Sequence, residues 1–219
     1  MISLQLNNFQ DGANCKSILF TSKESFVRVT HRFLGGNAYG FISDFGCGSW
    51  GLVTCLGGRC ENPDGEVLLN AQPIACSELL KYSCFISENV FNGINTSDNL
   101  LSAKECIEKA LQISKISYSV QEIKIMFGLS DERFERNLNY VSGEIWRISM
   151  AVGFAYGKDI FCFPWLNERD VDRLYQPLIN ILKKNGKIIL IPSSQKKPLK
   201  KICDETLLMG IGKGEILLK

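Results

Sequence analysis

The chain has 219 residues, 45% of them hydrophobic, which suffices to bury one substantial core and makes one domain or two closely joined lobes the expectation. A formal charge of only +2 excludes the strongly basic surface that nucleic-acid binding uses. No apolar run is long enough to cross a bilayer, and the opening MISLQLNNFQ lacks the basic and apolar blocks of a signal peptide, so a soluble, cytoplasmic protein is expected.

Alternation of Ile2, Leu4 and Leu6 with polar residues has the period of a half-buried strand. A turn at Asp11 and Gly12 followed by the apolar run 17–20 predicts a hairpin, and Phe26, Val27 and Val29 continue the β character. Turn residues at 34–37 then lead into residues 41–59, FISDFGCGSWGLVTCLGGR, which read as a buried strand, a glycine-rich turn and a helix from Leu52. Gly46, Gly48 and Gly51 let such a turn aim successive N–H groups at one point, to which the helix adds the positive end of its dipole. Gly57 and Gly58 close that helix, and turn chemistry at 62–65 precedes a short strand at 66–69.

Residues 101–137 have helical spacing, with Ile107, Ala110, Leu111 and Ile113 followed by Ile123, Ile125, Met126 and Phe127. A second helix, headed by Ser142 and Gly143, is predicted through Ile148, Met150, Ala151, Val152 and Phe154. The apolar runs 160–163 and 187–191 read as central parallel strands, separated by a helix through Leu174, Leu178, Ile181 and Leu182 that ends at Asn185 and Gly186. Residues 205–209 and 215–218 are two further apolar segments, joined through Gly212 and Gly214.

Nine cysteines include no C-x-x-C pair and His31 is the single histidine, so a zinc site of ordinary spacing is not expected. Reduced thiols in a reducing compartment are the simpler reading. Cys47 stands apart, because a thiol at a helix N-terminus can have a lowered pKa, although a small residue filling a tight loop is the plainer role.

The glycine turn resembles the phosphate loop G-x-x-G-x-G-K-[ST] of the nucleotide-binding subunits of ATP-binding-cassette (ABC) transporters, matched as Ser43-Asp44-Phe45-Gly46-Cys47-Gly48-Ser49-Trp50 with Gly51 behind. Later landmarks follow in the family's order, and 205–209 with 215–218 are similar to its closing β-hairpin. Residues 95–100 are similar to its T-V-x-E-N-L helix start, with Thr96 or Ser97 as cap; Val141, Ser142, Gly143, Glu144 and Arg147 are similar to the signature L-S-G-G-[QE]-x-x-R with one glycine deleted. The resemblance implies an α/β fold: a P-loop ABC-ATPase-like three-layer core with an antiparallel β lobe, in a single domain over 1–219 with a helical subdomain at about 101–150.

It also implies functional positions, and most hold other residues here. Ser49 stands for the phosphate lysine, Trp50 for the metal-binding hydroxyl, Pro164 and Trp165 for the strand-end aspartate and glutamate, and Ser193 for the switch histidine. The glutamine position falls on Ile86 or Ser87, Asp170 and Asp172 match the dimer-contact loop, and Phe9 is the nearest candidate for adenine stacking, though a core role suits it as well. Losing about three charge-assisted contacts, at ~1.5–3 kcal/mol each, discounts to about 5 kcal/mol and weakens a notional ~1 µM complex to several millimolar.

Glu144 and Glu168 are the nearby carboxylates, and each reads more simply as a solvated helix-end charge, so no catalytic residue and no metal ligand is nominated. No cofactor is expected beyond weak ATP binding. Trp50, Trp146 and Trp165 are read either as filling the vacated cleft or making an apolar dimer face, or as plain core residues. The resemblance then implies a non-hydrolysing assembly or regulatory subunit of a transport complex, with peptide export or immunity as settings. It would dimerise with itself or with an active nucleotide-binding subunit and meet a membrane permease through the helical subdomain, in the cytoplasm or at the inner face of the membrane. The alternatives are a divergent but active ATPase and a soluble scaffold without a transporter.

Overall fold

Leu4, Leu6 and Phe9 are the buried side chains of the first strand, β1 (Ser3–Gln10), and strict alternation would not place Phe9 with the other two. A bulge between Leu6 and Phe9, where Asn8 takes φ 49°, shifts the register and returns Phe9 to the core face. The structure, a computed structural model, describes residues 1–16, 21–26, 28–44, 46–60, 63–86, 101–141, 144–165, 176–209 and 217–218. The chain divides into two compact units, Met1–Ser83 with Asp159–Lys219, and Cys84–Lys158.

In the first unit β1 is followed by β2 (Gly12–Lys16), β3 (Thr21–Ser25), β4 (Val29–Leu34), β5 (Ala38–Ile42), helix α1 (Ser49–Leu56), β6 (Asp64–Leu69), β7 (Gln72–Pro73) and a 3₁₀ helix at Cys76–Lys81. Strand β8 (Ser83–Phe85) lies at the division. The second unit holds helices α2 (Ala103–Ile113), α3 (Val120–Phe127), α4 (Asp131–Phe134) and α5 (Ile145–Ala155). The chain then returns to the first unit through β9 (Ile160–Cys162), α6 (Gln176–Lys184), β10 (Ile188–Ser193), α7 (Lys196–Ile202), β11 (Glu205–Leu208) and β12 (Leu217–Leu218).

Three sheets result. One is four-stranded in the order β4-β1-β6-β7, with β1 antiparallel to both neighbours. The second runs β12-β11-β5-β10-β9-β8, and its pairs β11–β5, β5–β10 and β10–β9 are parallel. Every residue of β5, β9 and β10 is buried, the pattern of parallel strands covered on both faces. The third is the hairpin of β2 and β3. The predicted hairpin therefore exists, but its strands are 12–16 and 21–25, and residues 17–20, expected to be strand, lie outside the described residues. The closing pair β11–β12 is antiparallel, with 210–216 outside the described residues.

Within the second unit α2 and α3 start at strong caps. Ser102 and Ser119 each accept a hydrogen bond from the N–H three residues on, while Glu105 and Glu122 reach back to the cap N–H groups. Ala103, Cys106, Ile107 and Ala110 of α2 are buried at the spacing of one helix face, and α3 ends at Gly128 in the left-handed region. Ile113, Ile125 and Tyr140 are left exposed in this unit. Among the described residues no helix is long and apolar enough to cross a membrane.

Candidate functional site

The parallel register aligns the ends of three strands: Ser193 of β10 pairs with Ile42 of β5, and Leu190 pairs with Cys162 of β9. The loop after β5, the Pro164-Trp165 pair after β9 and Ser193 thus gather at the carboxyl edge of one sheet, where α/β folds place their ligands. The Ser43 N–H donates to the Ser193 carbonyl at 3.2 Å, joining two of the predicted positions directly.

The loop keeps its sharp turn. Gly46 has φ 82° and Gly48, the N-cap of α1, has φ 93°. A side chain at Gly48 would also bring its Cβ within 2.6 Å of Phe26 Cβ and of the Ser25 carbonyl oxygen, so the residues after β3 press directly on the turn. Helix α1 begins at Ser49 rather than at Leu52, and all eight of its residues are buried. With no polar face to turn outward, it packs against β2, β3 and β10. Phe45 lies outside the described residues.

What fills the focus of the loop amides is a side chain the sequence reading passed over. Glu24, the fourth residue of β3, is completely buried. Its Oε1 accepts from the Gly46 N–H at 3.1 Å and its Oε2 from the Gly51 N–H at 3.0 Å. Gly51 is in the first turn of α1, where N–H groups have no partner within the helix and the dipole favours an anion. The carboxylate therefore sits in the place, and makes the kind of bonds, that a phosphate makes in such a loop.

Around it the substituted positions are engaged locally. Ser49 is fully buried with its hydroxyl 2.7 Å from that of Ser43. Trp50 is 2% exposed, which makes it a core residue and removes it from any dimer face. Trp165 and Trp146 are half-buried. Ser193 is buried, and its hydroxyl accepts from the Gln195 N–H at 3.1 Å. Phe9 is fully buried and stacks on Phe26 at 5.8 Å, so it is a core aromatic and offers no platform for adenine.

The thiol pKa of Cys47 is raised, first by burial and then by the carboxylates of Asp44 and Glu24, so the lowered pKa open to a helix-end thiol is not seen. Cys60 and Cys76 are paired, whereas Cys47, Cys55, Cys84, Cys106, Cys162 and Cys203 are in no disulfide.

The signature-like residues belong to the second unit. Val141 is buried and Glu144 occupies the N-cap position of α5, which starts at Ile145, without a side-chain cap bond; Ser142 and Gly143, expected to head that helix, lie outside the described residues. Glu144 accepts from the Ser130 N–H at 3.3 Å and pairs with Arg133 at 3.6 Å, while Arg147 donates to the Gly128 carbonyl at 3.1 Å. Ile86 is buried, and Ser87, residues 95–100 with Thr96 and Ser97, Glu168, Asp170 and Asp172 lie outside the described residues.

Neither a family model nor a curated protein matches the sequence. Solved structures match over nearly its whole length. The ATP-binding cassette MJ0796, a dimer in a post-hydrolysis state with ADP and phosphate, superposes with a TM-score of 0.68 at 17% identity, over 99% of this chain and 97% of that one. The protein cbiO1 from Clostridium perfringens, part of the ABC transporter complex cbiONQ, gives 0.70 at 14% identity over 98% and 86%. An ATP-binding protein assigned to an ABC transporter of Pyrococcus furiosus gives 0.68 at 16% over 94% and 97%. With these neighbours, a mainly parallel sheet beside an antiparallel one, and helices in a unit of their own, this chain has the fold of an ABC transporter ATP-binding cassette.

Proposed function

We propose that the chain is a cassette-fold subunit that neither binds nor hydrolyses magnesium–ATP in the ordinary way and serves assembly or regulation of a transport complex. The observation that carries this reading is Glu24, whose carboxylate takes the Gly46 and Gly51 amides that a nucleotide phosphate would need. A triphosphate entering there meets a negative charge in place of the lysine's positive one, with Ser49 and Trp50 where lysine and hydroxyl would be. At the sheet edge Pro164 and Trp165 supply no carboxylate for metal or water. These residues do not fit the metal–nucleotide group, and no catalytic step follows through it.

Partners follow by likeness. One structural neighbour is dimeric and another is part of a complex, which supports a dimer, with itself or with an active nucleotide-binding subunit, working with a membrane permease. Exposed Ile113, Ile125 and Tyr140 give the helical unit apolar contacts for such a permease. Peptide export or immunity is the proposed setting, and the inner face of the cell membrane the proposed location. Calorimetry of the full chain with ATP, ADP and GTP, with and without magnesium, is the test: no complex tighter than about 1 mM is expected, and one of about 1 µM overturns the reading.

A further inference from the structure

At the other end of α1 a second cluster forms, unrelated to the loop. Helix α1 ends at Leu56, and Gly58, with φ 84° and its N–H bonded to the Cys55 carbonyl at 2.8 Å, reverses the chain so that Cys60 returns beside Cys55. The 3₁₀ helix that starts at Cys76 brings in a third sulfur, bonded to that of Cys60. The sulfurs of Cys60 and Cys76 lie 3.3 and 3.1 Å from the Cys55 carbonyl oxygen. Between β1 and β2, Asp11 contributes a carboxylate whose Oδ2 is 3.7 Å from the Cys55 sulfur. The donor atoms of Asp11, Cys55 and Cys60 all lie within 4.8 Å of one another.

We propose that Asp11, Cys55, Cys60 and Cys76 form, when the Cys60–Cys76 disulfide is reduced, a binding site for a thiophilic divalent cation of the zinc class. Three sulfurs and one carboxylate are the donor set such a cation takes in tetrahedral geometry. Metal–sulfur and metal–oxygen bonds of about 2.3 and 2.1 Å at a tetrahedral angle place sulfur and oxygen about 3.6 Å apart. The 3.7 Å between Cys55 and Asp11 is that edge.

A structural disulfide needs only two of these four side chains. The carboxyl end of α1 adds its negative dipole end, which favours a cation there. Cys55 and Cys60 stand five positions apart, and the other two ligands are remote in sequence and become neighbours only through the fold. Half-exposed Cys60 gives the ion a way in.

The test uses the full chain, reduced with a phosphine and titrated with Co2+ and then Zn2+. Expected are one metal per chain, a sulfur-to-cobalt charge-transfer band with the d–d absorption of a tetrahedral site, and displacement of Co2+ by Zn2+. Cys55→Ser and Cys76→Ser each weaken binding by roughly 100-fold or more, Asp11→Asn by roughly 10-fold or more, and Cys203→Ser leaves it unchanged. Glutathione disulfide supplies the oxidised arm: it takes two electrons from the Cys60 and Cys76 thiolates as their bond forms, gains two protons and leaves as two glutathione thiols. That form keeps only Asp11 and Cys55 and binds Zn2+ roughly 100-fold more weakly.

Because a variant that fails to fold reads as weak binding, iodoacetamide labelling of the reduced wild type decides independently. Zn2+ slows labelling of Cys55, Cys60 and Cys76 and leaves Cys47 and Cys203 as they were. Substoichiometric uptake by reduced, folded protein, binding unaffected by Cys55→Ser, or labelling of the three cysteines unaffected by Zn2+ each overturns the proposal.

Discussion

Glu24→Ala removes the acceptor that holds both ends of the glycine turn. Two N–H groups, at 3.1 and 3.0 Å from the carboxylate, lose their partner, that of Gly51 in a buried place and that of exposed Gly46 in a partly buried one. Hydrogen bonds to a charged group contribute about 1.5–3 kcal/mol each, so the gross loss is roughly 3–6 kcal/mol. Water entering the space left by the side chain recovers part of it, and about 3 kcal/mol is the expected net destabilisation. For a chain of 219 residues this lowers Tm by roughly 6–12 °C. Glu24→Gln keeps one acceptor oxygen and turns an amide donor toward the other N–H, so its loss is of similar sign and at least half the size.

The assay is circular dichroism on heating and in urea, repeated in inorganic phosphate. If the carboxylate stands in for an anion, phosphate at about ten times its dissociation constant restores ~1.4 kcal/mol to Glu24→Ala and adds nothing to the wild type. A variant within about 0.5 kcal/mol of wild type, or equal stabilisation of both proteins by phosphate, refutes the role given to Glu24.

Gly48→Ala forces a side chain onto a residue at φ 93° and into Phe26 and the Ser25 carbonyl, so a loss of about 2 kcal/mol or more in a urea titration is expected. Ser102→Ala removes one half of a capping box, and a loss of about 1 kcal/mol, confined to exchange protection of α2 and its neighbours, is expected by hydrogen exchange. His31 carries a pKa below its ordinary value, because burial outweighs the pull of Glu205 at 3.6 Å. Below pH about 6.5 the unfolded chain therefore binds a proton that the folded one resists. Urea midpoints should be level above that pH and fall beneath it in the wild type, with a smaller fall in His31→Gln.

The parallel sheet was legible because β5, β9 and β10 are buried on both faces and so are written as unbroken apolar runs, and the glycines of the turn are written in the residues themselves. The resemblance to ABC cassettes followed from the order of such landmarks, and the structural neighbours bear the fold out. Glu24 was not legible: it stands 22 residues before Gly46, in a strand of polar residues, and only the β2–β3 hairpin carries it to the loop. Phe9 joins Leu4 and Leu6 in the core because a bulge at Asn8 changes phase without leaving a glycine or proline behind to mark it. At Cys47 burial and two carboxylates raise the thiol pKa, in the opposite sense to a helix end. Helix α7, with Pro198 inside its first turn and lysines around it, offered little apolar periodicity to find. The starts of α2 and α3, by contrast, were available as the pattern S-x-x-E at 102–105 and 119–122, a signal not used.

The bond between Glu24 and the glycine turn is intramolecular, so its occupancy does not depend on how much of any solute the cell contains. A loop held by a dissolved anion empties and fills as supply changes, whereas one held by its own chain keeps a single shape from starvation to plenty. Any assembly that includes this protein would then have one fixed face beside whatever its other members do.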